Sequence, residues 1–355
     1  MTIGVDAGML GVTDERLKVG VSRVAYNLLK ELIEIDTKNE YRIYSFIPVD
    51  TFGPRMKNVV LTPSTGYLRL RLPLELRLHP VDLFLGLGQA LPPLVSVPAI
   101  GFVYDLGFLF NPYAYGNAVT KLRTQTDHLV RSSTHIVAIS NSTKSDSIKH
   151  FRVHESRITV AYPGVEERFF VNRASHKHPL PYFLFVGSLN KAKDIPLLIK
   201  SFAAMTNASL DLLLVGGEYW PDPAINEAIA KYKLSSRVLK VGHVTDTMLP
   251  LYYRGAVAFV TTALHEGFCL PAVESMASGT PVIGINRGAL PEIVGDGGLI
   301  VPADWHHVTE AMNRMMKKPL RTQLSRLARA RSKQFSWAIF AHKILALIET
   351  HAHQT

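Results

Sequence analysis

The sequence predicts two α/β units, each built on a parallel sheet, and three observations carry this. Short apolar runs alternate with helical patterns, the order that parallel strands joined by crossover helices require. The alternation restarts after a polar stretch at residues 171–180. The length, 355 residues, suits about two domains.

The elements follow in order. Ile3-Gly4-Val5-Asp6-Ala7 reads as a buried strand, followed by Gly8, Gly11 and a polar loop to Gly20. Ser22 is placed to cap a helix over residues 23–35, with Val24, Leu28, Leu29, Leu32 and Ile33 on one face. Residues 42–46 form the next strand. From Tyr67 to Leu78, leucines alternate with Arg69, Arg71 and Arg77, but Pro73 argues against a central strand. A loop and then a helix from about Pro73 is expected there. Two readings of it stay open: a helix packed on the sheet, or a basic, leucine-rich element that touches lipid.

Residues 83–87 and 99–104 are further strands, and Asp105 follows the second at its carboxyl end, where ligands of open α/β sheets gather. Residues 118–132 are helical and 135–139 a strand, with Ser140-Asn141-Ser142 capping the next helix. Residues 158–160 form a strand, and Tyr162-Pro163-Gly164-Val165 a turn. The histidines of the polar stretch, His176 and His178, have no metal-ligand pattern around them and suggest a solvated connector. The second series has strands at 183–186, 210–215, 238–241, 257–260, 281–284 and 299–301, helices at 195–204 and about 223–232, and a last helix over 337–349.

Composition narrows the class. The hydrophobic share of 47% supports a sizeable core, and Cys269 is the single cysteine, in keeping with a reducing compartment. Asp6 interrupts the first apolar run, so no secretory leader is expected, and no apolar stretch nears the roughly 20 residues of a membrane span. The net charge of +10 divides unevenly: residues 1–170 carry 19 basic and 16 acidic side chains, residues 171–355 carry 20 and 13. Arg314, Lys317, Lys318, Arg321, Arg326, Arg329, Arg331 and Lys333 form a run without acids. A solvated helical face explains it, as does attraction to an anionic membrane or a phosphorylated ligand. No zinc-finger or aromatic RNA-binding signature points to nucleic acid.

The stretch most charged with chemistry is His265-Glu266-Gly267-Phe268-Cys269-Leu270-Pro271-Ala272-Val273-Glu274, extending to Ala277. It reads as strand, tight loop, helix. Pro271 suits the helix's first turn, Glu266 falls in the loop and Glu274 in the first turn. The free N–H groups of such a helix favour phosphate, and the two carboxylates suit sugar hydroxyls. A site for a sugar joined to a phosphate is one reading; an ordinary helix start is the other.

The pattern E-G-F-x-L-P-x-x-E-x-M-A-x-G-x-P-V, here Glu266 to Val282, resembles the donor-site signature of retaining family-4 glycosyltransferases of the GT-B fold. Other likenesses are Gly20-Val21-Ser22-Arg23 for an acceptor-side loop, Val186-Gly187-Ser188-Leu189 through Lys193 for a diphosphate loop, Gly242-His243-Val244 for the base-lining stretch, and Gly288-Ala289-Leu290-Pro291-Glu292 for the family's glycine-leucine-proline-glutamate turn. The resemblance implies two Rossmann-like domains facing each other across a cleft. The acceptor domain is residues 1–170, the linker 171–180, the nucleotide-sugar domain 181–336, and residues 337–355 a helix crossing back to the first domain.

It further implies a GDP- or UDP-linked donor and transfer of a hexose, such as mannose, to a sugar, glycolipid or other hydroxyl. No metal and no cofactor are expected. Glu266 would bind donor-sugar hydroxyls and Glu274 the ribose, while Lys193 would neutralise the departing diphosphate. Gly267, Phe268, Cys269 and Leu270 would lend backbone groups; Gly187, Ser188, Lys191 and Val244 would complete the donor site. Tyr104 and Asp105, from the acceptor domain, would be catalytic, Tyr104 standing where the family's residue touches the donor sugar. A cytoplasmic location, with peripheral contact to an anionic membrane, goes with these roles.

Three positions depart from the family pattern. Tyr104 stands where His is usual, Ala192 and Ser188 where an Arg is frequent, and Cys269 where Gly is usual. A tyrosine donates a hydrogen bond but carries no positive charge, and Lys191 is a point charge rather than a fork. A sugar phosphorylase of the same fold and a non-catalytic sugar-nucleotide-binding protein are the alternatives. A nicotinamide-dependent oxidoreductase fits poorly, since Gly86-Leu87-Gly88-Gln89-Ala90-Leu91 lacks the third glycine. No Asp-x-Asp pair or P-loop occurs, and Cys269 stands where a zinc protease helix needs its second His.

Overall fold

A computed structural model of the chain describes residues 1–11, 20–171, 174–218 and 220–352. Most of the polar loop before Gly20, and Asn172 and Arg173 of the expected linker, lie outside the described residues. The chain divides into two compact units. The first comprises Met1–Leu106, Asn117–Gly164 and Ser336–Thr355; the second comprises Gly107–Gly116 and Val165–Phe335.

Among the described residues the first unit holds seven strands: β1 (Thr2–Asp6), β2 (Glu40–Ser45), β3 (Met56–Val60), β4 (Leu83–Gly86), β5 (Ala99–Val103), β6 (His135–Ala138) and β7 (Ile158–Val160). Their order is β3-β2-β1-β4-β5-β6-β7, and every pair is parallel. β5 is buried along its whole length, as expected of a strand covered by helices on both faces. β3 carries only one buried residue, Met56; an edge strand with so little apolar content leaves no pattern to read. The helix Trp337–His351 packs against Val21–Ile35 within this unit, and Phe340 meets Phe102 edge-on at 6.5 Å.

Two local readings change here. Ser22 lies inside the helix Val21–Ile35, and its hydroxyl donates to the Met9 carbonyl (3.0 Å) instead of capping. Residues 67–78 are helical throughout. A π-type turn, Tyr67–Arg71, runs into the α-helix Leu72–Leu78, and the Leu72 N–H donates to the Tyr67 carbonyl five residues back. Pro73 lacks an N–H and sits in the first α-helical turn. The wide turn before it lets the helix begin at Tyr67, six residues before Pro73, without a broken ladder.

Among the described residues the second unit holds six strands: β8 (Tyr182–Val186), β9 (Asp211–Val215), β10 (Val238–Gly242), β11 (Ala258–Thr261), β12 (Val282–Ile285) and β13 (Gly298–Val301). They run parallel in the order β10-β9-β8-β11-β12-β13. The chain order reverses between β8 and β11, so the loops leaving their carboxyl ends diverge around one crevice.

Ala174, Ser175, Lys177, Pro179 and Leu180 of the expected linker are exposed, but its two histidines are half-buried and held to this unit. His178 Nε2 lies 2.6 Å from Asp211 Oδ2, and the His176 ring stacks on Tyr252 at 4.1 Å. The basic run is partly structural too. In the helix Lys318–Ser332, Arg329 donates to the Phe170 carbonyl, and Arg331 to those of Glu292 and Ile293. No helix among the described residues is long and apolar enough to cross a membrane.

Candidate active site

The loops after β8 and β11 meet at the switch point of the second sheet. The first bends at Gly187 and closes in a short turn, Lys191–Lys193, whose Ala192 N–H donates to Asn190 Oδ1 at 3.1 Å. The second is tied to it: Thr262 Oγ1 donates to the carbonyls of Lys193 (3.1 Å) and Asp194 (2.9 Å), and the Leu264 N–H to that of Ala192 (2.9 Å). These bonds set the registry that brings Lys193 to Glu266. Lys193 Nζ lies 2.6 Å from Glu266 Oε1, with the two side chains 25% and 12% exposed. A cation and a carboxylate that remain within reach of solvent are available to a ligand.

Glu266 is fixed from behind. Its carbonyl accepts from the Ala289 N–H at 2.8 Å. Gly288, at φ +55°, passes so close that a Cβ there would lie 2.4 Å from the Glu266 carbonyl oxygen. Only glycine combines that backbone angle with that approach. Arg287, next to it, lies near enough to Asp194 for its charge to favour the ionised carboxyl, while burial pushes the Asp194 pKa up overall.

The helix of the central stretch is Leu270–Ala277. It begins at Leu270, with Pro271 in its first turn, so Glu274 sits in the second turn rather than in the first, where the sequence placed it. The Leu270 N–H opens the helix Leu270–Ala277 and, as a first-turn donor, has no intrahelical acceptor. Glu274 is 3% exposed and accepts from the Tyr253 hydroxyl at 2.9 Å. Phe268 is buried, its ring edge-on to Phe335 at 5.5 Å.

Cys269 occupies the position before the helix at φ +74° and is 7% exposed. Burial pushes its thiol well above the usual range, and the charges of Glu266, Lys193 and Glu274 all act on it. With so little thiolate near neutral pH, Cys269 does not qualify as a nucleophile. In the native protein it should resist a thiol reagent such as Ellman's, reacting at full rate only after denaturation; fast native labelling would contradict the burial. Cys269→Gly should keep activity within about threefold, because glycine takes a positive φ without strain.

The remaining donor-side residues lie along the same edge. Ser188 is half-buried, Lys191 exposed and Val244 half-buried. The loops after β8, β9 and β10 are linked by backbone bonds from Leu189 to Gly217 (2.9 Å) and from Gly216 to Gly242 (2.8 Å). Val244 belongs to the outermost of these, two strands from β8.

Sequence reasoning missed one wall of this site. Residues 107–116 fold with the second unit as two short helices, Gly107–Phe110 and Pro112–Tyr115. Phe110 stacks on His265 at 4.5 Å, and Asn111 Nδ2 donates to the Leu264 carbonyl at 3.4 Å. Helices of four residues carry no periodicity, so no signal marked them.

Tyr104 and Asp105 belong to the first unit, after β5. Gln89 Oε1 accepts from both of their N–H groups, at 2.8 and 3.3 Å. The Tyr104 ring is 5% exposed and its hydroxyl has no hydrogen-bond partner among the described residues. Burial, with the Asp6 charge second, pushes its pKa up, so it remains a neutral phenol. Asp6 itself, at the end of β1, accepts from Tyr67 (2.9 Å) and from the Gly8 N–H (3.0 Å), and burial raises its pKa.

No group of three or more His, Cys, Asp or Glu among the described residues is arranged to hold a metal ion.

Residues 167–332 match the family of glycosyl transferases group 1. Among curated proteins, the chain is 27% identical over 232 residues to O-antigen chain mannosyltransferase B of Escherichia coli, covering 59% of this chain and 60% of that one. It is 29% identical over 231 residues to an MMP α-(1→4)-mannosyltransferase of Mycolicibacterium hassiacum, covering 62% and 55%. The match thus spans 60% or less of either relative's length. Among solved structures, a sucrose-phosphate synthase from Thermosynechococcus elongatus superposes with a TM-score of 0.80 at 18% identity, covering 98% of each chain. The two Rossmann-like units are those of the GT-B fold.

Proposed function

We propose that this chain, whose second unit matches the group 1 glycosyl transferases, moves a hexose from a nucleotide diphosphate sugar to a hydroxyl acceptor with retention of configuration, as family-4 enzymes do. The observation that carries the reading is the Lys193–Glu266 pair, 2.6 Å apart, beside a helix start at the switch point of a parallel sheet.

The roles follow from the chemistry. As the bond from the sugar's anomeric carbon to the diphosphate breaks, negative charge builds on the leaving oxygen. Lys193 and the opening N–H of the helix Leu270–Ala277 are preplaced to stabilise that charge, which is worth most in the transition state. Released from Lys193, the Glu266 carboxylate accepts from sugar hydroxyls. Glu274, oriented by Tyr253, is the ribose-binding carboxylate. The acceptor's proton passes to the leaving phosphate oxygen, so no protein nucleophile is needed, in keeping with the protonated Cys269.

The mannosyltransferases among the relatives favour GDP-mannose as donor, with a UDP-sugar as the other choice. The acceptor in this reading is a growing polysaccharide or a glycolipid. The single cysteine accords with a cytoplasmic location, and such acceptors put the enzyme in peripheral contact with a membrane.

A donor screen read by mass spectrometry tests this. One nucleotide hexose should be consumed with release of its nucleoside diphosphate, and the rate should survive EDTA. A strict need for a divalent ion would count against the reading. Release of a sugar phosphate only when inorganic phosphate is supplied would make the protein a phosphorylase. Tight binding of GDP or UDP without turnover would make it a non-catalytic binder.

A further inference from the structure

The helical segment 67–78 of the first unit is apolar on two sides. Its inner side buries Tyr67, Leu72 and Leu76. Its outer side presents Leu70, Leu74 and Leu78, four residues apart and 70%, 57% and 62% exposed. An ordinary surface helix places polar groups there, and leucines so spaced fall along one face.

The charges around these leucines have one sign. Arg69 and Arg77 are exposed. Arg71 is half-buried and donates to the carbonyls of Thr62 and Thr65. Glu75, the only acid in residues 67–79, is turned inward, 19% exposed, and pairs with His79 at 3.0 Å.

From this we infer that Leu70, Leu74 and Leu78 form a docking face for an anionic lipid bilayer. The helix lies in the plane of the interface, with its leucines among the acyl chains and Arg69 and Arg77 reaching lipid phosphates. Charge decides between occupants. A second copy of this chain on a two-fold axis would bring the same arginines against each other, whereas anionic headgroups complement them. The inference supplies the contact that the proposed peripheral placement requires, but its test involves no sugar transfer.

The full chain is sedimented with vesicles of phosphatidylcholine alone and with vesicles that also contain phosphatidylglycerol. Binding is expected only to the anionic vesicles and should weaken as salt rises. The triple variant Leu70→Ser, Leu74→Ser, Leu78→Ser should bind at least about tenfold more weakly, since each leucine gives up apolar burial. All three side chains are exposed, and circular dichroism checks that the fold is kept. Should the triple variant fail to fold, Arg69→Gln with Arg77→Gln keeps the test, and should remove most of the salt-sensitive binding. Three results would overturn the inference: no binding at low ionic strength, unchanged binding by both variants, or a concentration-dependent dimer that the leucine variant abolishes in a protein that ignores vesicles.

Discussion

Lys193→Ala and Glu266→Ala should each lower kcat by about 10²–10³-fold, the range for removing one preplaced electrostatic group from a transition state. The two losses should differ in kind. Without Lys193, the departing diphosphate keeps its charge uncompensated, and donor binding weakens as well because the ground-state diphosphate is also anionic. Without Glu266, the sugar loses its acceptor group while the nucleotide half is still held, so nucleoside diphosphate affinity should change by less than about threefold. Isothermal titration with GDP or UDP beside a steady-state assay separates the two. Each variant also removes a charged hydrogen bond from a part-buried loop, at about 1.5–3 kcal/mol of stability. Thermal melts should therefore fall by a few degrees yet remain cooperative. Turnover near the wild-type level in either variant would remove the mechanism proposed for this site.

Gly288→Ala is expected to be nearly as damaging, although residue 288 need touch no ligand. The added carbon would lie 2.4 Å from the carbonyl oxygen and 2.7 Å from the nitrogen of Glu266, at a φ of +55°. Positive φ alone costs a non-glycine residue about 1–2 kcal/mol, and forced overpacking adds about 1–3 kcal/mol. The backbone of Glu266 has to retreat, taking its carboxylate away from Lys193. Misplacement on the order of 1 Å costs about 10²-fold in rate. The informative pattern is a loss of kcat that outlasts correction for the unfolded fraction, measured well below the melting temperature. A folded Gly288→Ala enzyme with unaltered kcat would show that this turn does not hold Glu266.

Much of this could be read beforehand from the chain, for local reasons. Buried parallel strands need unbroken apolar runs, so β5, β8 and β9 announced themselves, and a proline inside a helix start is visible in Pro271. The stretch from Glu266 to Glu274 is contiguous, so its two carboxylates were legible together. Elements whose stability comes from neighbours were not. β3 carries one buried residue, the helices of 107–116 are too short to show a period, and His178 finds Asp211 thirty-three positions away.

Residue order alone therefore established two α/β units and a charged loop before a helix, because strand burial and helix starts are properties of adjacent residues. It could not say that Lys193 lies on Glu266, that Gly288 braces it, that Tyr253 orients Glu274, or that the leucines of 67–78 split between an inner and an outer face. Those relations span 73 residues for Lys193 and Glu266 and 21 for Tyr253 and Glu274. They exist only once the sheet has set its strand order, since loops distant in sequence meet where that order reverses.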